Sequence, residues 1–315
     1  MKRAPHDRQR PVLEVTDLSV RLGDTLALDS ISFALSRGDS VAVVGPNGAG
    51  KSTLFRAIAG IVDLASGGIQ VYGSAPDGHT CIAYVPQASV VDWNFPVNVL
   101  DVVLMGRTRR IGMFRRPGRA DRRFAYQCLE MVNMEELAER QIGELSGGQK
   151  QRVFIARALA QDAEIVLMDE PLTGLDVGSQ EGILGLLRGL TDRGVTLLVS
   201  THDLEMAAKR FARIMLLNRR IVALGEPGAV MRTELLLPTF GGHASVQSES
   251  VENGSRGKVV VFDTCCDGGE TRHGETHHGE THHSETHHGE THHGETRGGD
   301  AEIAPSSTPE IHAGR

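Results

Sequence analysis

Gly45-Pro46-Asn47-Gly48-Ala49-Gly50-Lys51-Ser52-Thr53 puts three glycines, one lysine and two hydroxyls on a single short stretch. This spacing is that of a loop wrapped around the phosphates of a nucleotide. Gly45, Gly48 and Gly50 let the backbone take positive-φ turns, so that its N–H groups converge on one anion. Lys51 can then reach the β- and γ-phosphates, and the Ser52 hydroxyl can ligate Mg²⁺. An acidic pair, Asp169-Glu170, follows the apolar run Ile165-Val166-Leu167-Met168. There Asp169 suits Mg²⁺ held through water, and Glu170 can polarise a water for in-line attack on the γ-phosphorus. His202 follows a third apolar run, Leu197-Leu198-Val199-Ser200. Ser146-Gly147-Gly148-Gln149 opens a helical stretch, with Ser146 as its N-cap and two glycines baring backbone N–H groups. It is a second anion site without a lysine of its own, which suggests that two chains share each nucleotide.

These groups work only if strands and helices aim them at one place. The apolar Ser40-Val41-Ala42-Val43-Val44 before the loop suits a buried parallel strand, and Leu54–Ala59 after it suits a helix. Residues 12–35 alternate apolar and polar and predict antiparallel strands, with turns at Gly23-Asp24 and Arg37-Gly38-Asp39. Short strands are expected over 69–87 and helices over 97–106 and 121–132. The pattern then predicts a helix at 149–160, a strand at 164–169, a helix at 177–193, a strand at 195–200, a helix at 202–210 and a strand pair at 212–223. Alternating strands and helices predict an α/β fold with a mostly parallel sheet covered on both faces. To this core are added an antiparallel β subdomain and a helical lobe near 88–148. The ordered domain is expected over 12–238, after a flexible N-terminus at 1–11.

The chain has 315 residues, 40% hydrophobic and 23% charged, as an ordinary globular protein does. No apolar run approaches the ~20 residues needed to cross a bilayer, and the charged N-terminus is not built as a secretion signal. A cytosolic protein, held at a membrane only through a partner, is expected. Cys81 and Cys128 stand in apolar surroundings and predict reduced core thiols. Residues 1–240 carry 28 Lys and Arg against 27 Asp and Glu, whereas the 75 that follow carry 5 against 13. A nearly neutral body with an acidic tail argues against nucleic acid as a partner.

Leu145-Ser146-Gly147-Gly148-Gln149 resembles the signature of the ABC ATPases, and over residues 12–232 the other motifs of that family appear in its order. The resemblance makes Gly45–Thr53 the Walker A loop of a P-loop NTPase core and Val85-Pro86-Gln87 the Q-loop. Ile165–Glu170 becomes Walker B, Thr173-Gly174-Leu175-Asp176 the D-loop, and His202 the switch histidine. It implies ATP and Mg²⁺ as cofactors and a head-to-tail pair of chains. Ser146, Gly147, Gly148 and Gln149 of one chain then meet the γ-phosphate held by Lys51 of the other. Gln87 is expected to sense Mg²⁺ and the attacking water, and Asp176 to communicate across the dimer. One departure concerns the adenine, on which this family usually stacks an aromatic ring. Here Val20-Arg21-Leu22-Gly23-Asp24 puts Leu22 at that place.

Residues 91–107, from Val91-Asp92-Trp93-Asn94-Phe95 to Gly106-Arg107, resemble the ATPase subunits of manganese, zinc and iron importers. By that resemblance the stretch docks on a membrane permease, with Trp93 and Phe95 as exposed anchors. An extracytoplasmic metal-binding protein completes the system. A soluble ABC protein of ribosomes or DNA, or an exporter subunit, is the competing reading. The eight arginines from Arg107 to Arg123 form either a solvated face or a contact with anionic lipid headgroups or acidic permease loops. Past residue 239 the composition turns to Gly, Ser, Glu, Thr and His and predicts disorder, apart from a short strand or docking segment at Lys258–Phe262. Within it a five-residue unit of the type Gly-Glu-Thr-His-His recurs over 269–298, after Cys265-Cys266. Its paired His277, His278, His282, His283, His287, His288, His292 and His293 suit weak, multivalent binding of Zn²⁺, Ni²⁺ or Cu²⁺.

Overall fold

A computed structural model of the chain describes residues 9–75, 81–112, 115–241, 244–247 and 258–261. All of these fall in one compact unit, Met1–Cys265, and a second unit, Cys266–Arg315, lies outside them. The histidine repeats and Cys265-Cys266 are therefore outside the described residues.

The elements run β1 (Leu13–Leu22), β2 (Thr25–Leu35), β3 (Ser40–Val44), α1 (Lys51–Ile58), β4 (Ser66–Gln70) and β5 (Ile82–Val85). Next come α2 (Val99–Met105), α3 (Thr108–Ile111), α4 (Arg119–Glu130), α5 (Gly147–Ala160), β6 (Ile165–Met168) and α6 (Val177–Asp192). The last are β7 (Thr196–Thr201), α7 (Leu204–Arg210), β8 (Arg213–Asn218), β9 (Arg220–Gly225), α8 (Pro227–Val230), α9 (Thr233–Phe240), β10 (Ala244–Gln247) and β11 (Lys258–Val261). The predicted fold class holds. A six-stranded sheet has the order β5-β6-β7-β3-β8-β9, parallel throughout except for the antiparallel edge strand β9. A three-stranded antiparallel sheet, β2-β1-β4, stands beside it. The short strand expected at the start of the tail is present as β11, paired with β10.

The central strands are apolar on both faces because both faces are covered. Along β3, Val41 and Val43 join one core with Leu54, Phe55 and Ile58 of α1 and the inner face of β1 and β2. Ala42 and Val44, pointing the other way, join a second core with α5, α6 and the helical lobe. This period-two division follows from the strand's pleat. Each fully buried Val or Leu here contributes about 1.5–3 kcal/mol. The sheet order places the ends of β6, β7 and β3 side by side. These strands lead into Asp169-Glu170, His202 and the phosphate loop respectively.

Within the lobe, α2, α4 and α5 share the second core through Val99, Val103, Ala125, Cys128, Leu129 and Phe154. Cys81 and Cys128 are both buried and form no disulfide, as the sequence led one to expect. Burial pushes the Cys128 thiol up to about 12, so it stays neutral and unreactive. The arginine-rich link is not uniformly a solvated face. Arg107 is buried, its Nε 2.9 Å from Asp121 Oδ1 and its guanidinium 4.4 Å over the Phe124 ring. Arg110 pairs with Asp162 at the surface. Among the described residues, no helix is long and apolar enough to cross a membrane.

Candidate active site

The phosphate loop is clamped between its neighbours. At Gly45 an added Cβ would lie 2.0 Å from the Leu217 carbonyl oxygen of β8. At Gly50, where φ is 98°, a Cβ would strike Leu28 and the Ala27 carbonyl. Only glycine lets the loop pass this close to both strands. Lys51 opens α1, is 6% exposed, and donates from Nζ to the carbonyls of Gly45 (2.6 Å) and Pro46 (3.1 Å). Its ammonium is thereby held across the mouth of the loop.

The acidic pair sits on the next strand but one. Asp169 is 4% exposed. Its backbone N–H donates to Val85 of β5, while Ser200 Oγ donates to its Oδ1 at 2.7 Å and the Tyr84 hydroxyl to its Oδ2 at 3.4 Å. Burial raises the Tyr84 phenol above its ordinary value, so it remains a donor. Glu170 has φ 47°, a left-handed conformation for a side-chain-bearing residue, at a cost of order 1–3 kcal/mol. It is pinned there: its N–H donates to Ser200 Oγ (2.9 Å), while Gln87 Nε2 and Thr173 Oγ1 both donate to its Oε2 (3.3 Å each). The turn points the carboxylate out of the sheet edge.

One cleft of about 600 Å³ collects these groups. Pro46 to Thr53, Gln87 and Glu170 line it, together with Leu22, Thr25, Ala27 and Arg219. The structure therefore brings together the sequence-predicted Lys51, Ser52, Gln87, Glu170 and Leu22. Asp169 lies just behind them. His202 follows β7, which lies between β3, leading into the phosphate loop, and β6, leading into Glu170, but it is exposed and does not line the cleft. Ser146, Gly147, Gly148, Gln149 and Asp176 do not line it either. Sequence reasoning missed Ser200 and Tyr84, which orient Asp169, and Arg219 on the rim. A serine at the buried end of an apolar strand was the available signal for Ser200.

The signature helix end is well formed in itself. Ser146 Oγ accepts from the Gln149 N–H (3.3 Å) and Gln149 Oε1 accepts from the Ser146 N–H (2.9 Å), which closes a reciprocal cap. Ser146 and Gly147 are exposed. Asp176 N-caps α6, taking the Ser179 N–H at 2.9 Å and the Ser179 hydroxyl at 2.6 Å. A Cβ on Gly148 would come within 2.7 Å of that same Ser179 hydroxyl. The two helix ends are thus packed on each other. The Ser179 hydrogen bonds hold the Asp176 carboxyl below its ordinary value. A depressed carboxyl stabilises the fold above its unfolded pKa and stops doing so as pH falls through the folded one. Asp176→Ala is accordingly expected to lower Tm by about 2–4 °C at neutral pH. In thermal melts the difference from wild type should vanish in acid; a difference unchanged by acid would mean that the cap's charge contributes nothing.

Trp93 is not the exposed anchor the sequence led one to expect. Its indole N–H donates to the Ala88 carbonyl (2.9 Å), and its ring meets Phe154 of α5 edge-on at 5.3 Å, with Lys150 Nζ 4.9 Å from its centroid. It belongs to the lobe and ties the segment after Gln87 to the signature helix. The apolar residues left exposed nearby are Phe95 (56%), Val90 (61%) and Met105 (47%).

The chain is similar to proteins already known. Residues 28–173 match the family model described as ABC transporter. The manganese transport system ATP-binding protein MntB of Bacillus subtilis is 45% identical over 240 residues, covering 76% of this chain and 96% of that protein. The zinc transport system ATP-binding protein TroB of Treponema pallidum is 44% identical over 234 residues, covering 74% and 88%. Among solved structures, an inward-facing ABC transporter of the metal-chelate type superposes with a TM-score of 0.69 at 31% identity. That match covers 80% of this chain and 98% of the other.

Proposed function

The chain belongs to the ABC transporter family as an ATP-hydrolysing, ATP-binding subunit, and on that premise we propose that it energises import of a divalent transition metal, manganese, zinc or iron, through a separate membrane permease. One observation carries the reading of how it works. Lys51 and Glu170 line a single cleft, while the signature residues Ser146 to Gln149 lie outside it, Ser146 and Gly147 exposed at the helix end. A second copy, turned head to tail, supplies Ser146, Gly147 and Gly148 over the γ-phosphate, with Asp176 behind them. Each nucleotide then closes the pair, and its loss opens it.

The chemistry follows from the named groups. The loop N–H groups and Lys51 hold the triphosphate. Glu170 accepts a proton from a water as that water's oxygen bonds to the γ-phosphorus. The bond from this phosphorus to the β–γ bridging oxygen breaks, leaving ADP and phosphate. Gln87, already bonded to Glu170, orients the water, and His202 approaches the γ-phosphate as the pair closes. The donor set fits Mg²⁺. Ser52 and Gln87 bring neutral oxygens to the cleft, and Asp169 stands behind them with its carboxylate fixed by Ser200, placed to act through water. Bound there, Mg²⁺ neutralises phosphate charge. Among the described residues, no cluster of His, Cys, Asp and Glu suits a transition metal.

Docking on the permease falls to the exposed Phe95 and Met105, within the Trp93–Arg107 stretch, and to Val90 just before it. On this reading the protein works at the cytoplasmic face of the plasma membrane, with an extracytoplasmic metal-binding protein feeding the permease from the other side. The repeats over 269–298 add a chelator by their chemistry alone, since imidazole beside carboxylate in five of the six units suits Zn²⁺. Cells lacking the chain are expected to lose accumulation of one of the three metals, measured by elemental analysis. Unchanged accumulation of all three would remove the import reading. Purified full-length chain is expected to retain Zn²⁺ that a chain ending at 268 does not; equal retention would remove the chelator.

A further inference from the structure

The phosphate loop lines the cleft together with the catalytic Gln87 and Glu170. The remaining lining residues are Leu22, Thr25, Ala27 and Arg219, which leaves them to meet the base and ribose. Leu22 closes the β1–β2 hairpin, is 47% exposed, and offers no π face.

Arg219 stands at the β8–β9 turn with φ 57°. Its backbone is fixed on both sides: its N–H donates to the Ala49 carbonyl of the phosphate loop (2.8 Å), and its carbonyl accepts from the Asp29 N–H of β2 (2.9 Å). The neighbouring Arg220 gives its guanidinium to Asp29, 2.7 Å from Nε to Oδ2. Among the described residues, no hydrogen bond or ion pair engages the guanidinium of Arg219. A cation with a planar face, anchored beside the phosphate loop and otherwise uncommitted, is thus left on the lining of the cleft.

We propose that Arg219 and Leu22 together hold the nucleotide base, the guanidinium stacking on its face and the leucine packing beside it, in place of an aromatic platform. Planar guanidinium groups stack on π systems in a way that the compact ammonium of lysine does not. The contact reads the face of the base and not its edge. This rests on the ATP-binding reading and adds to it the residue that grips the base.

The experiment measures binding of ATP and of inorganic tripolyphosphate to the full chain by calorimetry, in EDTA so that nothing turns over. Tripolyphosphate has the phosphates and lacks the base. Arg219→Asn removes the guanidinium and tolerates the left-handed backbone. It is expected to weaken ATP about tenfold and tripolyphosphate less than twofold. Arg219→Lys should lose nearly as much, and Leu22→Tyr added to Arg219→Asn should restore most of the ATP affinity. Equal losses for both ligands would make Arg219 a phosphate contact and overturn the proposal, as would no loss for either. Failure of the wild-type chain to bind both ligands would instead strike the ATP-binding reading.

Discussion

Glu170→Gln is expected to lower the turnover of ATP by about 10²–10⁴-fold while leaving nucleotide affinity nearly intact. The substitution keeps the shape of the side chain. Gln87 and Thr173 donate to Glu170 Oε2, and a glutamine carbonyl oxygen can accept the same two bonds. The backbone bond to Ser200 Oγ is untouched, so the left-handed turn that aims the side chain stays in place. Only the ability to take a proton is lost. The phosphates still see Lys51, the loop and the opposed signature residues, so the ATP-bound pair should accumulate because nothing discharges it. Phosphate release measures the first effect, and gel filtration in Mg-ATP, expected to show a dimer, measures the second. Turnover near the wild-type rate would remove Glu170 as the base. A variant that is inactive yet monomeric in ATP, with the permease also present, would remove the shared-site arrangement.

Much of this was legible before any fold was known, for a physical reason. Phosphate binding by backbone N–H groups needs glycine at set positions, and a buried parallel strand needs an unbroken apolar run. Gly45 to Thr53 after Ser40–Val44, and Asp169-Glu170 after Ile165–Met168, therefore announce themselves. What was illegible depends on contacts between distant segments. The tie of Ser200 to Asp169 spans 31 residues, and that of Tyr84 to Asp169 spans 85. Neither has a spacing that a linear pattern can carry. Trp93 shows the same limit from the other side. Its composition and neighbourhood suggested an exposed anchor, but Phe154 and Lys150 of α5 claim its ring. The exposed apolar surface then passes to Phe95. Arg219 was missed because arginine at a turn is ordinary. Only its backbone bond to Ala49 marks it as part of the phosphate loop's surroundings.

Lys51→Ala is expected to weaken ATP binding by about 100-fold or more. The lysine is 6% exposed and already oriented by the Gly45 and Pro46 carbonyls, so little side-chain entropy remains to be lost when a phosphate arrives. Two charge-assisted hydrogen bonds to phosphate oxygens, at about 1.5–3 kcal/mol each, account for a loss of that order. The alanine variant should still fold. An alanine suits the first turn of α1, and of the two carbonyls it leaves open that of Pro46 belongs to a residue lining the cleft. Residual affinity then measures what the loop N–H groups and the α1 dipole supply unaided. Lys51→Arg sharpens the result, because a longer, forked cation in so closed a position cannot bond both carbonyls and the phosphate in the same geometry. It should resemble alanine more than wild type. Calorimetry with ATP decides. An alanine variant within about threefold of wild type would mean that the helix end alone holds the triphosphate. The lysine loop of one chain would then have no claim to a nucleotide that the serine-glycine helix end of another must share.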